Sequence, residues 1–197
     1  MLILFAEDKK NIYIIKYKKM KKVFHGDNYD TKKINVALMN NGNNQEGVGI
    51  YFSDNIKDAE DYGVNVVSVL INENNFINSR VSIATIWKEK IKNILNSLFI
   101  LDQNAFYYFA TDYGVEIHEP ENIKEKHIKE LAQLIESEEV RNFQIDLSNR
   151  FGVDKFVNIW NKTTKIDGTK QKQPNGSMWY SVINSKIKII KNYKTTK

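Results

Sequence analysis

The chain has 197 residues, 29 basic against 24 acidic side chains, a formal charge of +5 and no cysteine. Hydrophobic residues make up 42% and aromatic residues 12%, enough for a buried core, so a fully disordered chain is excluded. Without cysteine there is no disulfide framework, no cysteine-ligated zinc ribbon and no cysteine nucleophile, and the mild basic excess permits nucleic acid or an acidic protein as partner without requiring either.

In chain order, residues 1–6 (MLILFA) are apolar, stop at Glu7 and Asp8, and read as an opening strand too short for a signal segment. No apolar run approaches the roughly 20 residues that span a bilayer, so a soluble, cytoplasmic protein without a membrane partner is expected. Residues 12–18 (IYIIKYK) are β-branched and aromatic, and residues 22–25 carry that character to a stop at Gly26, Asp27 and Asn28. Residues 40–46 (NNGNNQE) form a loop by composition, and residues 48–52 (VGIYF) a short strand. Ile56, Ala59 and Tyr62 recur at helical spacing within residues 54–62, where Ser53 or Asp54 can cap the start and Gly63 can stop the helix in a left-handed conformation. Residues 65–71 (NVVSVLI) make another strand.

Further on, Ile83, Ile86, Trp87, Ile91, Ile94, Leu95 and Leu98 recur three and four apart, predicting one amphipathic helix with Ser82 as N-cap. Residues 120–140 repeat the pattern through Ile123, His127, Ile128, Leu131, Leu134 and Ile135, with Pro120 at the first helical position. Residues 155–160 (KFVNIW), 179–183 (WYSVI) and 186–190 (KIKII) read as strands, and residues 162–176 as a long polar loop. Strands, then helices, then strands, with no repeat or linker, predict one α+β domain over residues 1–197.

Several familiar sites are ruled out. There is no Walker loop, no HExxH and no GxSxG. Gly47 and Gly49 begin a GxGxx pattern, but Phe52 stands at the third glycine position and no helix opens there. His118 and His127 read as a surface-loop and a helix histidine rather than as metal ligands, and no metal is expected.

What remains is a constellation in the first third: Phe24, His25 and Gly26 at a strand end, residues 47–54 (GVGIYFSD) after a loop, and a short helix ending in Tyr62 and Gly63. In these residues the chain resembles the ADP-ribosyltransferases of the diphtheria-toxin and poly(ADP-ribose) polymerase type. Their signature is a strand-end His-Gly, a Gly-x-Gly-Ile-Tyr-Phe strand, and a second tyrosine eleven residues after the first, as Tyr62 follows Tyr51. The match covers residues 23–70, with a weaker echo at the C-terminus.

The resemblance implies a split antiparallel β-sheet with inserted helices, NAD+ as substrate, His25 and Tyr51 as catalytic residues, and His25, Gly26, Tyr51, Ser53 and Tyr62 as the NAD+-binding set. It gives His25 the adenosine ribose. The physical chemistry is compatible: two tyrosine faces can sandwich the cationic nicotinamide ring, and a glycine at position 26 admits the carboxamide to the backbone. The glycosidic bond breaks through an oxocarbenium-like state that needs positioning and negative or dipolar groups more than a strong nucleophile. Taken singly, Tyr51, Phe52, Tyr62 and His25 are also compatible with ordinary core positions.

The third signature residue of the family is usually a glutamate, a few residues before a stretch that residues 181–188 (SVINSKIK) echo. Counting back in register puts Met178 there, so the triad reads His25, Tyr51, Met178, and the closest upstream acid is Asp167. Methionine offers only a weak acceptor; relatives lacking the glutamate often transfer one unit rather than chains, and some are inactive. Met178 is equally a core-facing strand residue in step with Tyr180 and Val182. A shifted register brings in Gln171 or Gln173 instead. Lys170, Gln171 and Gln173 lie in the loop that meets the acceptor in the family, and Lys16, Lys18, Lys19, Lys21 and Lys22 form the densest basic run. If both flank one cleft, the acceptor is RNA or DNA; otherwise the lysines keep a strand edge solvated.

The expectation is a mono-ADP-ribosyltransferase acting on nucleic acid or protein: a toxin, defence effector or phage-encoded host modifier in a bacterial or infected host cytoplasm. A neutralising antitoxin is a further partner such a toxin would imply. The alternatives are an NAD+ glycohydrolase using the same pocket, an inactive module that binds NAD+ or ADP-ribose, and, more remotely, an RNA-binding module.

Overall fold

The structure, a computed structural model, describes residues 20–28, 46–87, 90–183 and 189–194. The strands expected over residues 1–6 and 12–18, Lys16, Lys18 and Lys19, and most of the 186–190 strand lie outside these. In order come β1 (Met20–Asp27), β2 (Ile50–Ser53), α1 (Ile56–Tyr62), β3 (Asn65–Asn72), β4 (Phe76–Asn78), α2 (Ile83–Trp87), α3 (Lys90–Leu101) and α4 (Gln103–Asp112). There follow α5 (Glu125–Leu134), α6 (Val140–Phe151), α7 (Val153–Thr163), β5 (Gly168–Lys172), β6 (Met178–Val182) and β7 (Ile189–Lys194).

The fold is α+β. Among the described residues seven strands form one sheet in the order β4-β5-β6-β2-β1-β3-β7, antiparallel except between β4 and β5. The sheet comes close to dividing at its centre. Among the described residues β1 pairs with β3 over eight positions but with β2 at only one, Phe24 with Ser53. β3 is rich in β-branched residues, and its consecutive Val66, Val67, Ser68 and Val69 are all buried, as in a strand covered on both faces. One hydrophobic core joins Phe52, Val69, Phe76, Tyr180 and Val182 of the sheet to Leu95, Phe106, Leu131, Phe143, Phe156 and Trp160 of the helices. α1 packs on β1, β2 and β3, and its Ala59 is buried outside that core.

Several elements differ from the sequence reading. Residues 155–160 are helical, inside α7, because Phe156, Val157 and Trp160 fall on one buried stripe that continues from Val153; the three- and four-residue period outweighs the strand propensity of Phe, Val, Ile and Trp. The supposed loop over residues 162–176 contains β5, which forms a hairpin with β6. The single helix expected from Ile83 is two, α2 and α3, and Ser82 is bridged to Glu139. Pro120 opens a separate 3-10 turn, Pro120–Asn122, ahead of α5. Asn55, not Ser53 or Asp54, caps α1, its Oδ1 accepting from the backbone N–H of Lys57 at 3.1 Å. Gly63 is extended, with φ of 178° rather than left-handed. A glycine is needed there for space, since a Cβ would lie 2.1 Å from the carbonyl carbon of Asp27. No helix among the described residues is long and apolar enough to cross a membrane.

Candidate functional site

Where β1 and β2 part, α1 closes over the gap and leaves a pocket of about 330 Å³. Residues 24–27 of β1, residues 49–53 around β2, Asp58, Ala59 and Tyr62 of α1, and Trp179 of β6 line it. His25, Gly26, Tyr51, Ser53 and Tyr62 are therefore brought together, although they come from two strands and a helix. Met178, Lys170, Gln171 and Gln173 are not among the lining residues.

His25 bridges the two halves of the sheet. Its Nδ1 is 2.7 Å from the carbonyl oxygen of Tyr51, which can only accept, so Nδ1 carries the hydrogen and Nε2 of the neutral ring is an acceptor. The ring also packs on Phe52, with centroids 5.4 Å apart. Burial holds its pKa below the ordinary value, against the pull of the Tyr51 carbonyl and of Asp27.

Tyr51 is fixed by its far end. Its hydroxyl donates to the Gly47 carbonyl at 2.7 Å and accepts from the Glu46 backbone N–H at 3.0 Å. Burial pushes the phenol up to about 12, so it stays neutral and the ring is a rigid wall. Glu46 is in turn held by Arg80 at 3.0 Å and Ser79 at 2.7 Å. Gly26 is needed for a reason the sequence did not reveal. A Cβ there would lie 1.7 Å from the Ala59 carbonyl oxygen, so the glycine admits the backbone of α1 onto the end of β1.

Tyr62, 61% exposed, stands at the rim with its ring edge-on to Trp179, centroids 5.8 Å apart at 73°. Between them and Ser53 lies Asp58. Its Oδ2 accepts from the Ser53 hydroxyl at 2.8 Å, the Ser177 hydroxyl at 2.6 Å and the Trp179 indole at 2.9 Å. Its Oδ1 accepts from Asn55 at 3.1 Å and Asn175 at 3.2 Å. Burial alone would raise the Asp58 carboxyl, but the donors, Ser177 and Trp179 foremost, outweigh it and hold the pKa below the usual carboxylate value. Through Ser177 and Asn175 the tip of the β5–β6 hairpin is docked onto α1.

Asp58 and Trp179 were missed in the sequence. An acid in the first turn of a helix reads as a partner for the helix dipole, and Trp179 reads as a strand residue until its partner is known. The register supplies the missing information: Trp179 pairs with Ser53, and Ser181 with Tyr51, so these four share one face of the sheet. Met178, one residue out of phase, packs its side chain against the core instead. Only its backbone meets the site's frame, donating to Asp54 Oδ1 at 2.8 Å and accepting from the Asp54 N–H at 3.1 Å.

The other expected contacts sit elsewhere. Lys170 lies on β5 beside Glu73, donating to its carbonyl at 3.3 Å. Gln171 pairs in register with Trp179, and Gln173 opens the hairpin turn. Lys21 is engaged by Asp54 at 2.8 Å and Glu73 at 3.7 Å, while Lys22 is exposed over the ring of Phe24. Among the described residues no Lys or Arg lines the pocket, and the acids that do are Asp27 and Asp58. Among the described residues no group of His, Cys, Asp or Glu is placed to hold a metal ion.

Models of known families, curated proteins and solved structures give no significant match to this chain.

Proposed function

We propose that the protein is a mono-ADP-ribosyltransferase that takes one ADP-ribose unit from NAD+, releases nicotinamide and transfers the unit to a macromolecular acceptor. The observation that carries this reading is convergence: the five residues that the family resemblance implies for NAD+, His25, Gly26, Tyr51, Ser53 and Tyr62, line one aromatic-walled pocket. At about 330 Å³ the pocket is at the small end of the ~300–1,000 Å³ range for ligand sites. It therefore suits the nicotinamide–ribose half of the dinucleotide. The ring of the cationic nicotinamide would lie against Tyr51 and Tyr62, and the neutral Nε2 of His25 would accept from a hydroxyl of the adenosine ribose, as the resemblance implies. Cleavage of the glycosidic bond develops positive charge on the ribose, and a pocket lined by two acids and, among the described residues, by no lysine or arginine favours that charge. The near-division of the sheet beside His25 and Tyr51 is also what a split-sheet transferase fold requires.

A second reading, a module that binds NAD+ or ADP-ribose without turnover, draws support from Met178, whose side chain faces the core and leaves β6 without an acid at the pocket. The acceptor is proposed as nucleic acid or protein, with exposed Lys22 as a contact. A toxin, defence or phage host-modifying role, with an antitoxin as partner, belongs to the same proposal. Incubation with adenylate-labelled NAD+ and cell extract tests these together. Label on nuclease-sensitive or protease-sensitive material identifies the acceptor, and free ADP-ribose alone identifies a glycohydrolase. NAD+ binding without nicotinamide release leaves the binding module.

A further inference from the structure

Resting on that reading of the pocket, we infer that Asp58 is its fixed anion: from α1 it supplies the negative charge that β6 does not, and it makes the pocket select a positively charged ring over a neutral one of the same shape. Three observations carry this. Asp58 lines the pocket beside the two aromatic rings, Tyr62 and Trp179, that stand edge to face at its rim. All five of its hydrogen-bond donors, Ser53, Ser177, Trp179, Asn55 and Asn175, are uncharged, so they fix the carboxylate in place without cancelling its charge. Among the described residues no lysine or arginine lines the cavity to neutralise it.

With three donors on one oxygen and two on the other, Asp58 has little capacity left for a ribose hydroxyl. Its action on a ligand is through space, and on the site it is that of a positioning residue: it orients the Trp179 indole and holds the hairpin tip. Such an arrangement of preorganised dipoles around one charge needs no rearrangement when a cation arrives. An aromatic surface next to a carboxylate also adds the ring quadrupole to the Coulomb attraction.

The test uses two small probes on the full chain, 1-methylnicotinamide, a cation, and nicotinamide, its neutral counterpart, each titrated by calorimetry. The expected result is that the wild type binds the cation at least about tenfold more tightly, a preference that shrinks as salt is raised. Asp58→Asn, which keeps the shape and removes this charge, is expected to lose most of the preference, leaving only what Asp27 of the lining contributes. Ser177→Ala, which removes one donor and keeps the charge, is expected to retain the preference. Equal binding by the wild type, an undiminished preference in Asp58→Asn, or a preference insensitive to salt overturns the inference while leaving a nicotinamide pocket. If Asp58→Asn does not fold, the salt series on the wild type and on Ser177→Ala decides. Binding of neither probe overturns both the inference and the functional reading beneath it.

Discussion

His25 reaches across the seam of the sheet, its Nδ1 2.7 Å from the backbone carbonyl oxygen of Tyr51. Because β1 and β2 share only one paired position there among the described residues, this side-chain bond does part of the work that a strand ladder does elsewhere. Asparagine places an amide N–H near the position of Nδ1, whereas alanine removes both ring nitrogens. His25→Asn is therefore expected to keep most of the stability, and His25→Ala to lose about 1–3 kcal/mol from the stranded carbonyl and lost packing. Both should lose at least about 100-fold in nicotinamide release if Nε2 holds the ribose. Urea midpoints and turnover on the same samples separate the two effects.

Stability should fall on mild acidification. Burial, foremost, holds the pKa of His25 and of His127 below the ordinary 6.5, so the unfolded chain takes up protons before the folded one. Above 6.5 neither histidine costs anything; as pH drops below it, the unfolded state is favoured, until the folded-state pKa values are passed. His127 accepts on Nδ1 from the Lys124 N–H at 3.0 Å, which protonation would break. Asp58 is shifted in the opposite useful sense: its contribution is present above 3.8 and lost only as pH falls through its lower folded-state value. Melting temperatures at about pH 7.5 and about pH 5.5 should fall for the wild type and fall less for a His25→Asn, His127→Asn double variant.

Gly26→Ala should act on the fold first. The added Cβ meets the Ala59 carbonyl oxygen at 1.7 Å, and neither partner is a flexible side-chain end, so α1 has to move off β1. A loss of about 3 kcal/mol, the upper part of the range for overpacking, is expected in denaturant unfolding. Because Asp58, Ala59 and Tyr62 ride on that helix, NAD+ binding should weaken in the same variant.

At Tyr51 the ring and the hydroxyl have separable tasks. Tyr51→Phe keeps the wall, strands the Glu46 N–H and leaves the Gly47 carbonyl only the longer bond from the Ser181 hydroxyl at 3.4 Å, for a cost of about 1–3 kcal/mol in stability. Tyr51→Ala removes the wall. Nicotinamide release should drop far more in the alanine variant than in the phenylalanine variant; the reverse order would mean that the hydroxyl, not the ring, serves the chemistry.

Among the described residues of the first third, β1, β2, α1 and β3 are legible because their signals are local. β-branched runs mark β3, and Ile56, Ala59 and Tyr62 mark α1. The resemblance carried by His25, Tyr51 and Tyr62 groups them in one site, and all three line the pocket. What was not legible depends on partners distant in sequence. The side of β6 that faces the pocket follows from the pairing of Trp179 with Ser53, and no count back from residues 181–188 contains that pairing. Asp58 becomes a hub only when Ser177 and Trp179 arrive from the far end of the chain. α7 was misread because Phe156, Val157, Ile159 and Trp160 favour strands singly and reveal a helix only as a stripe. The space that Gly26 leaves is filled by a carbonyl of a neighbouring helix, which no spacing rule within β1 indicates.

The central claim is that this pocket holds and cleaves NAD+. Its most direct measurement is release of labelled nicotinamide from NAD+ by the full chain in the presence of cell extract, with His25→Ala run in parallel. The account predicts release by the wild type and at least about 100-fold less by the variant. No release by the wild type under any acceptor condition, or equal release by both, would contradict it.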